Sequence, residues 1–269
     1  MTDKDQIYYK KGHDKFVSST HSWRTVENAI AFMIPIIQSH HKVLDVGCGP
    51  GTITVDFARY VPKGFVTGID SIEELLEECK EKKRVNEVTN VDFRVASVYE
   101  LPFEDNTFDI VYEHQVLTHL QDPVKALKEM TRVTKPGAFV CCKDFDAGAS
   151  IIYPKRYEEI VSHFILKRAL LAQSNITMGR SLRDLALANG FSLSQITSSA
   201  SVWCTSNDED REITSQMYIQ RILNSKEAIL EDEEEDKADK REMVQLWKEW
   251  STDDRGWLTI LNGEMICRK

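Results

Sequence analysis

The chain has 269 residues, of which 42% are hydrophobic, so it can bury a sizeable core and is not disordered throughout. Its 34 basic and 43 acidic residues give a net charge of −9. Because a negative surface repels the phosphate backbone, this balance argues against a nucleic-acid partner.

The first eleven residues are polar, unlike a secretory signal, and the apolar stretch at residues 30–37 is too short to cross a bilayer. The six cysteines form neither a C-x-x-C pair nor a ladder of metal ligands. We therefore expect a cytoplasmic protein with no membrane span and no metal.

Strands and helices alternate over the first half of the chain. Residues 22–37 predict a helix, and residues 1–41 together predict an N-terminal lid and helix. Continuous apolar runs predict buried strands at 42–47, 65–69, 91–95, 108–112 and 138–143. The helices predicted between them are 52–59, 72–83 and 124–133, the second with a capping box at Ser71 and Glu74. This alternation predicts an α/β fold with a doubly wound parallel sheet.

The second half of the chain is mostly helical, with two further strands. The predicted elements are helices at 155–172 and 182–188, a strand at 191–204, a charged helical insertion near 207–252 and a strand at 258–268. The acidic run at residues 231–236 is interpreted as a solvated helix face, and a docking surface for a basic partner is the alternative.

The strongest motif is the glycine-rich turn D-V-G-C-G-P-G at residues 45–51, which lies between a predicted strand and a predicted helix. Glycine permits positive φ angles and lets a ligand lie against the backbone. The second strand ends at Asp70, 19 residues beyond Gly51. A carboxylate at this place typically accepts hydrogen bonds from ribose hydroxyls. The pair therefore predicts a site for a nucleotide-like cofactor.

Further motifs follow the turn in order, namely I-D at 69–70, E-L-P-F at 100–103, F-D-I-V-Y at 108–112 and R-V-T-K-P-G at 132–137. Together they resemble the class I S-adenosylmethionine-dependent methyltransferases, especially the ubiquinone- and menaquinone-biosynthesis type. The resemblance implies a Rossmann-like seven-stranded sheet with helices on both faces and helical insertions after strands five and six. It implies one domain over residues 1–269, with a cofactor-binding core at 42–145 and substrate-cover elements at 146–269.

The resemblance also implies the residues that bind the methionine half of the cofactor. Asp45 corresponds to the position that contacts the methionine amino group, and the backbone of His114 takes the same amine. Gly47, Cys48 and Gly49 correspond to the backbone surface beneath the methionine and ribose.

On the adenosine side, the resemblance implies that Asp70 holds the ribose and that Ser71 and Ile72 lie beside the adenine. Ser97 and Val98 correspond to the positions that bind the adenine edge. Many relatives carry aspartate where this chain has Ser97, and a hydroxyl accepts a hydrogen bond more weakly than a carboxylate. We therefore expect an intact but weaker adenine contact.

Upstream, W-R-T-V-E-N at residues 23–28 resembles the R-T-A-E segment of glycine N-methyltransferase relatives. There the arginine binds the cofactor carboxylate, which implies this role for Arg24 and suits its planar guanidinium. A surface salt bridge is the alternative interpretation of Arg24.

A general base is not assigned by the sequence. His119 is a weak candidate, and His21, Asp144 and Asp146 are further ones, because each is near the expected cofactor edge of the sheet.

The leading hypothesis is methyl transfer from S-adenosylmethionine to a small organic molecule by in-line displacement, with S-adenosylhomocysteine as product. The alternative is a catalytically weak or inactive S-adenosylmethionine-binding partner subunit. A nicotinamide dehydrogenase is disfavoured because its G-x-G-x-x-G motif requires glycine where Thr52 stands. The acceptor and the oligomeric state are left open.

Overall fold

The computed structural model describes residues 23–160, 175–224 and 232–269. A seven-stranded mixed sheet has the strand order β3-β2-β1-β4-β5-β7-β6. Its strands are β1 Lys42–Val46, β2 Phe65–Asp70, β3 Val91–Val95, β4 Phe108–His114, β5 Thr134–Tyr153, β6 Ile196–Thr205 and β7 Trp257–Arg268. This confirms the expected Rossmann-like sheet.

The strands β1 to β5 pair in parallel, so their carboxyl ends meet at one edge of the sheet. Val46 pairs with Ile69 on β2, and His114 on β4 pairs with Lys143 on β5. The order reverses between β1 and β4, which pair with each other from Val43 onward. In open α/β sheets, such a reversal opens the crevice in which ligands bind.

Seven described helices accompany the strands. They are α1 Val26–Ala29, α2 Thr52–Phe57, α3 Glu73–Val85, α4 Pro123–Val133, α5 Met178–Ala188, α6 Asp208–Leu223 and α7 Glu233–Ser251. Successive residues of β1 point to opposite faces of the sheet. Val43 packs with apolar residues of α1, α2 and α3, whereas Leu44 packs with those of α4 and α5. The sheet is therefore covered on both sides, as its continuous hydrophobicity predicted.

The chain forms two compact units. The first holds the described residues up to Asp144, together with Met178–Ser199 and Gly263–Lys269. The second holds Phe145–Thr177 and Ala200–Asn262, apart from the residues outside the described ranges. The single domain over residues 1–269 stays a prediction.

The second unit is built around the paired helices α6 and α7. Its core contains the fully buried Trp247 and Trp250, and Tyr218 stacks on Trp247 with ring centroids 4.5 Å apart. The Ser215 hydroxyl donates to the Trp247 carbonyl at 2.9 Å, and the buried Arg211 donates to the Ser251 carbonyl at 3.3 Å. Polar bonds and aromatic packing thus hold the two helices together.

Two predicted helix features are wrong. The region predicted as one helix at 22–37 forms only α1, followed by a 3-10 helix at Ala31–Ile36 that contains Pro35, because proline removes a backbone donor. The predicted capping box at Ser71 does not form. Instead Ile72 is the N-cap of α3, and its amide donates to the Asp70 carboxylate at 3.0 Å.

The acidic run agrees with its interpretation as a solvated helix face at residues 232–235, which are exposed, and departs from it at Asp236. Its described residues lie at the N-terminus of α7, where Asp232 accepts the amides of Glu234 and Glu235. Asp236 is buried and pairs with Lys240 at 2.7 Å. Acidic residues are favourable there because the helix dipole is positive at that end.

Strand β5 extends well beyond the predicted 138–143, and most of the predicted helix 155–172 lies outside the described residues. No helix among the described residues has the length and apolar character needed to cross a membrane.

Candidate functional site

The glycine-rich turn follows β1 at the carboxyl edge of the sheet. Gly47, Gly49 and Gly51 have φ angles of 72°, 52° and 74°, which residues with a side chain rarely adopt. The amides of Gly47 and Cys48 donate to the Ile69 carbonyl at 2.8 and 2.9 Å. The turn is thereby fixed against the end of β2.

The glycines differ in what surrounds them. A Cβ on Gly47 would overlap the side chain of Val116, and a Cβ on Gly51 would lie 2.8 Å from the Cys79 sulfur. A Cβ on Gly49, in contrast, would have no atom within 4 Å. Gly49 therefore lines open space, whereas Gly47 and Gly51 are required by packing.

Asp70 ends β2 beside this turn and is only 4% exposed. Its Oδ2 accepts the Gly49 amide at 3.0 Å, and its Oδ1 accepts the Ile72 amide at 3.0 Å. Burial raises the pKa of Asp70, while the amides of Ile72, Gly49 and Ser71 act in the opposite direction. A carboxylate has about four lone-pair sites, so Asp70 keeps capacity to accept a further donor.

Asp45 lies on β1, one residue before its end, and is also buried. The Thr54 hydroxyl donates to its Oδ2 at 2.6 Å. Burial raises the pKa of Asp45 to about 6, with Asp70 adding to the rise and Thr54 and Tyr112 opposing it. A cation placed next to Asp45 would lower that pKa again.

The structure brings Arg24 to the end of β4. One guanidinium nitrogen lies 3.4 Å from His114 Nδ1, and the other donates to the Gln115 side-chain oxygen at 2.7 Å. Burial, Arg24 and Lys143 lower the pKa of His114 well below its usual value, so the imidazole is neutral. Both of these partners are uncharged, and the role of Arg24 stays a prediction.

The predicted adenine-binding residues lie beyond β2 and β3. Ile72 and Val98 are buried, while Ser71 and Ser97 are half-buried. The Ser97 hydroxyl accepts the Tyr99 amide at 3.2 Å and so shapes the turn after β3. These four roles, like those of the other predicted site residues, stay predictions.

The candidate bases lie in different parts of the chain. His119 ends a half-buried 3-10 turn after β4, and Asp144 is completely buried in the first unit. Asp146 belongs to the second unit, and His21 lies outside the described residues.

Sequence reasoning missed three residues of the site. Thr54 holds Asp45, Gln115 holds Arg24, and the buried Glu113 accepts the Val116 amide at 2.8 Å. Gln115 also has a φ angle of 61°. No sequence motif indicates these three residues, because each is defined by a hydrogen bond to another part of the chain or to a loop amide.

No group of three or more His, Cys, Asp or Glu side chains is arranged to hold a metal ion in the described ranges. The described cysteines are all free thiols.

Comparison with known proteins gives the family. A family model described as a methyltransferase domain matches residues 37–213. An uncharacterized methyltransferase of Schizosaccharomyces pombe is 43% identical over 271 residues and is covered to 98%, as is this chain. A demethylmenaquinone methyltransferase of Staphylococcus aureus is 43% identical over 117 residues, which are 43% of this chain and 48% of that protein. The chain thus matches about half of the S. aureus relative.

Among solved structures, the phosphoethanolamine N-methyltransferase 2 of Haemonchus contortus, in complex with S-adenosyl-L-methionine, has a similar fold. The TM-score is 0.53 at 20% identity, covering 90% of this chain and 52% of that one. Because the family model matches more than half of the chain, and the S. pombe relative nearly all of it, this chain belongs to the methyltransferase-domain family, as the resemblance to class I S-adenosylmethionine-dependent methyltransferases implied.

Proposed function

We propose that the protein transfers the methyl group of S-adenosylmethionine to a small organic molecule by in-line displacement. The observation that carries the proposal is the pairing of Asp70 with the Gly49 amide, since it places a buried carboxylate directly beside an open, glycine-lined surface. A ribose fits there because its two hydroxyls are donors and Asp70 has lone pairs to accept them.

The residues around the turn fit the rest of the cofactor by their chemistry. Arg24 offers donors in the planar geometry that a carboxylate prefers, and the buried Asp45 offers a negative partner for the methionine ammonium. The bound ammonium would then supply a positive charge next to the buried Asp45 carboxylate. Ser71, Ile72, Ser97 and Val98 flank the adenine in this proposal, and the backbone of Gly47, Cys48, Gly49 and His114 completes the site.

S-adenosylmethionine supplies a methyl group that its sulfonium has already activated. The protein must therefore orient the acceptor and exclude water, and orientation alone can lower a barrier by up to about 7–11 kcal/mol. His119 remains a candidate for removing a proton from the acceptor, because imidazole is the side chain that most often acts as a general base.

The small-molecule acceptor is supported by the net charge of −9, which disfavours nucleic acid. The demethylmenaquinone methyltransferase among the relatives makes a quinone-type molecule one candidate acceptor. Its similarity spans less than half of this chain, so the acceptor is not transferred from it.

The test combines calorimetric titration with S-adenosylmethionine and transfer of a radiolabelled methyl group into fractionated cell extract. We expect binding, and label in the small-molecule fraction. Label in protein or nucleic acid instead would contradict the proposed acceptor class. Binding without transfer to any fraction would indicate a cofactor-binding partner subunit.

A further inference from the structure

Two buried carboxyl groups lie behind the loop that follows β4. Glu113 is 1% exposed, and Asp144 has no exposed surface. Glu113 accepts the amide of Lys143, the residue before Asp144, and the two carboxyl groups accept successive loop amides, those of Leu117 and Thr118. Two like charges this close and this deeply buried are unfavourable, so one proton on the pair is expected.

The hydrogen bonds around the pair differ between the two carboxyl groups. Glu113 Oε1 accepts the Lys143 amide at 3.1 Å, and Oε2 accepts the amides of Val116 and Leu117 at 2.8 and 3.4 Å. Asp144 Oδ1 accepts the Thr118 amide at 3.4 Å, whereas its Oδ2 is buried without such a partner. A protonated oxygen accepts poorly from an amide, so the geometry places the charge on Glu113 and the proton on Asp144 Oδ2.

The charged neighbours do not remove the need for this proton. Lys143 on β5 pairs with the buried Glu264 of β7 at 3.0 Å, and the Ser199 hydroxyl donates to the second oxygen of Glu264 at 2.9 Å. The positive charge of Lys143 is thus matched by Glu264. Arg24 is a second cation near this end of β4 among the described residues, and it contacts the neutral His114 and Gln115.

Among the described residues, the Cys142 thiol on β5 is a further titratable group that faces the pair. Burial and the charges of Glu113 and Asp144 raise its pKa, so it stays neutral.

The loop that binds these two carboxyl groups is also hydrogen-bonded to Arg24, through Gln115. The amides of Val116, Leu117 and Thr118 bind the pair, and the Gln115 amide donates to the Lys143 carbonyl at 2.7 Å. Gln115 is held in a left-handed conformation at φ 61°, with its side chain accepting from Arg24.

We propose that Glu113 and Asp144 share one proton, carried on Asp144 Oδ2, and that they are positioning residues which fix the turn after β4 and, through Gln115, the guanidinium of Arg24. The inference deepens the proposed function, because it rests on Arg24 binding the cofactor carboxylate. Burial and the neighbouring Glu113 raise the pKa of Asp144 well above its ordinary value, which agrees with the assigned proton.

The test uses two matched variants, Asp144→Asn and Glu113→Gln, each of which replaces one carboxyl group by an amide of the same shape. Asp144→Asn reproduces the protonated acid, so amide exchange at Val116, Leu117 and Thr118 should stay within about twofold of wild type. Glu113→Gln puts an amide donor against backbone donors, so protection of these amides should fall about tenfold or more.

Binding gives a readout that general destabilisation does not. Glu113→Gln should weaken the binding of S-adenosylmethionine about tenfold or more. It should weaken the binding of an analogue without the carboxylate much less, because that analogue makes no contact with Arg24. Asp144→Asn should bind both ligands as wild type does. Equal damage by the two variants, or equal loss for the two ligands, would overturn the proposal.

A carboxyl ¹³C titration of Asp144 in wild-type protein keeps the inference testable even if Glu113→Gln does not fold. A side chain that is ionised at pH 7 would overturn it, and a protonated one would support it. If wild-type protein does not bind S-adenosylmethionine, the proposed function fails, whereas the exchange and titration results still decide the proton assignment.

Discussion

Asp70 accepts the backbone amide of Gly49 at 3.0 Å, and this bond joins the end of β2 to the turn after β1. The carboxylate therefore has two tasks in our interpretation, since it shapes the turn and accepts the ribose hydroxyls. A substitution at this residue should affect both the cofactor and the fold.

We expect Asp70→Ala to weaken S-adenosylmethionine binding by about 1.5–3 kcal/mol, because hydrogen bonds to a charged acceptor are lost. Calorimetric titration measures the change, and Asp92→Ala on the exposed part of β3 is the control, which should bind normally. A 2′-deoxy analogue of the cofactor should lose less affinity than the parent. Unchanged affinity would mean that Asp70 does not contact the ribose.

Gly49→Ala tests the open surface beside Asp70. Alanine at a φ of 52° costs about 1–2 kcal/mol of folding stability, and its methyl group would occupy space that we assign to the cofactor. Gly137→Ala is the matched control, because Gly137 has a φ of 78° and equally open surroundings but lies near the start of β5. Both variants should lower the melting temperature, and only Gly49→Ala should weaken cofactor binding. Similar binding by the two would contradict the assigned position of the cofactor.

Arg24→Ala should weaken the binding of S-adenosylmethionine about tenfold or more, as expected when a charge-assisted hydrogen bond between the guanidinium and the cofactor carboxylate is lost. An analogue without the carboxylate should bind the variant and wild type alike. Arg59→Ala serves as the control, since Arg59 lies on the surface and pairs with Asp56. An equal loss for both ligands would reject the carboxylate role of Arg24.

Asp45 gives the protein a pH dependence whose sign follows from its raised pKa of about 6. A carboxyl group whose pKa is higher in the folded state favours folding below the pKa of the unfolded chain. That contribution disappears as the pH rises from about 4 through 6, and a shift of about two units corresponds to roughly 3 kcal/mol. The difference in unfolding free energy between wild type and Asp45→Asn should therefore change in this window, as measured by urea denaturation at several pH values.

The same group should make cofactor binding depend on pH. If Asp45 contacts the methionine ammonium, S-adenosylmethionine should bind more tightly as Asp45 loses its proton between about pH 5 and 7. Asp45→Asn should flatten this rise while keeping the acceptor for the Thr54 hydroxyl. A wild-type affinity that is constant over this range would argue against the contact.

The sequence predicted the first half of the fold closely because its signals are local. Strand β3 occupies the predicted residues, and β1 and β2 differ from the prediction by one residue at one end. Continuous apolar runs bounded by glycine and polar residues leave few alternatives there. The turn at Gly47–Gly51 was recognised for the same reason, since residues with a side chain rarely adopt its φ angles.

Predictions failed where a local sequence pattern allows more than one arrangement of polar contacts. Ser71 has the local pattern of an N-cap, yet the Asp70 carboxylate takes the Ile72 amide. Asp236 belongs to a highly charged run, yet it is buried with Lys240. In both cases the partner lies within four residues, and the burial of the carboxylate in the folded protein decides which arrangement forms.

The sequence alone determined the sheet class, the family and the chemistry available at the end of each strand, because apolar periodicity and glycine placement act over a few residues. Only the tertiary structure decided which of those groups meet. It joined Arg24 to Gln115 across 91 positions and set Glu113 beside Asp144. Such pairings depend on the order of the strands and on the burial of both partners, and no short segment of the sequence specifies either.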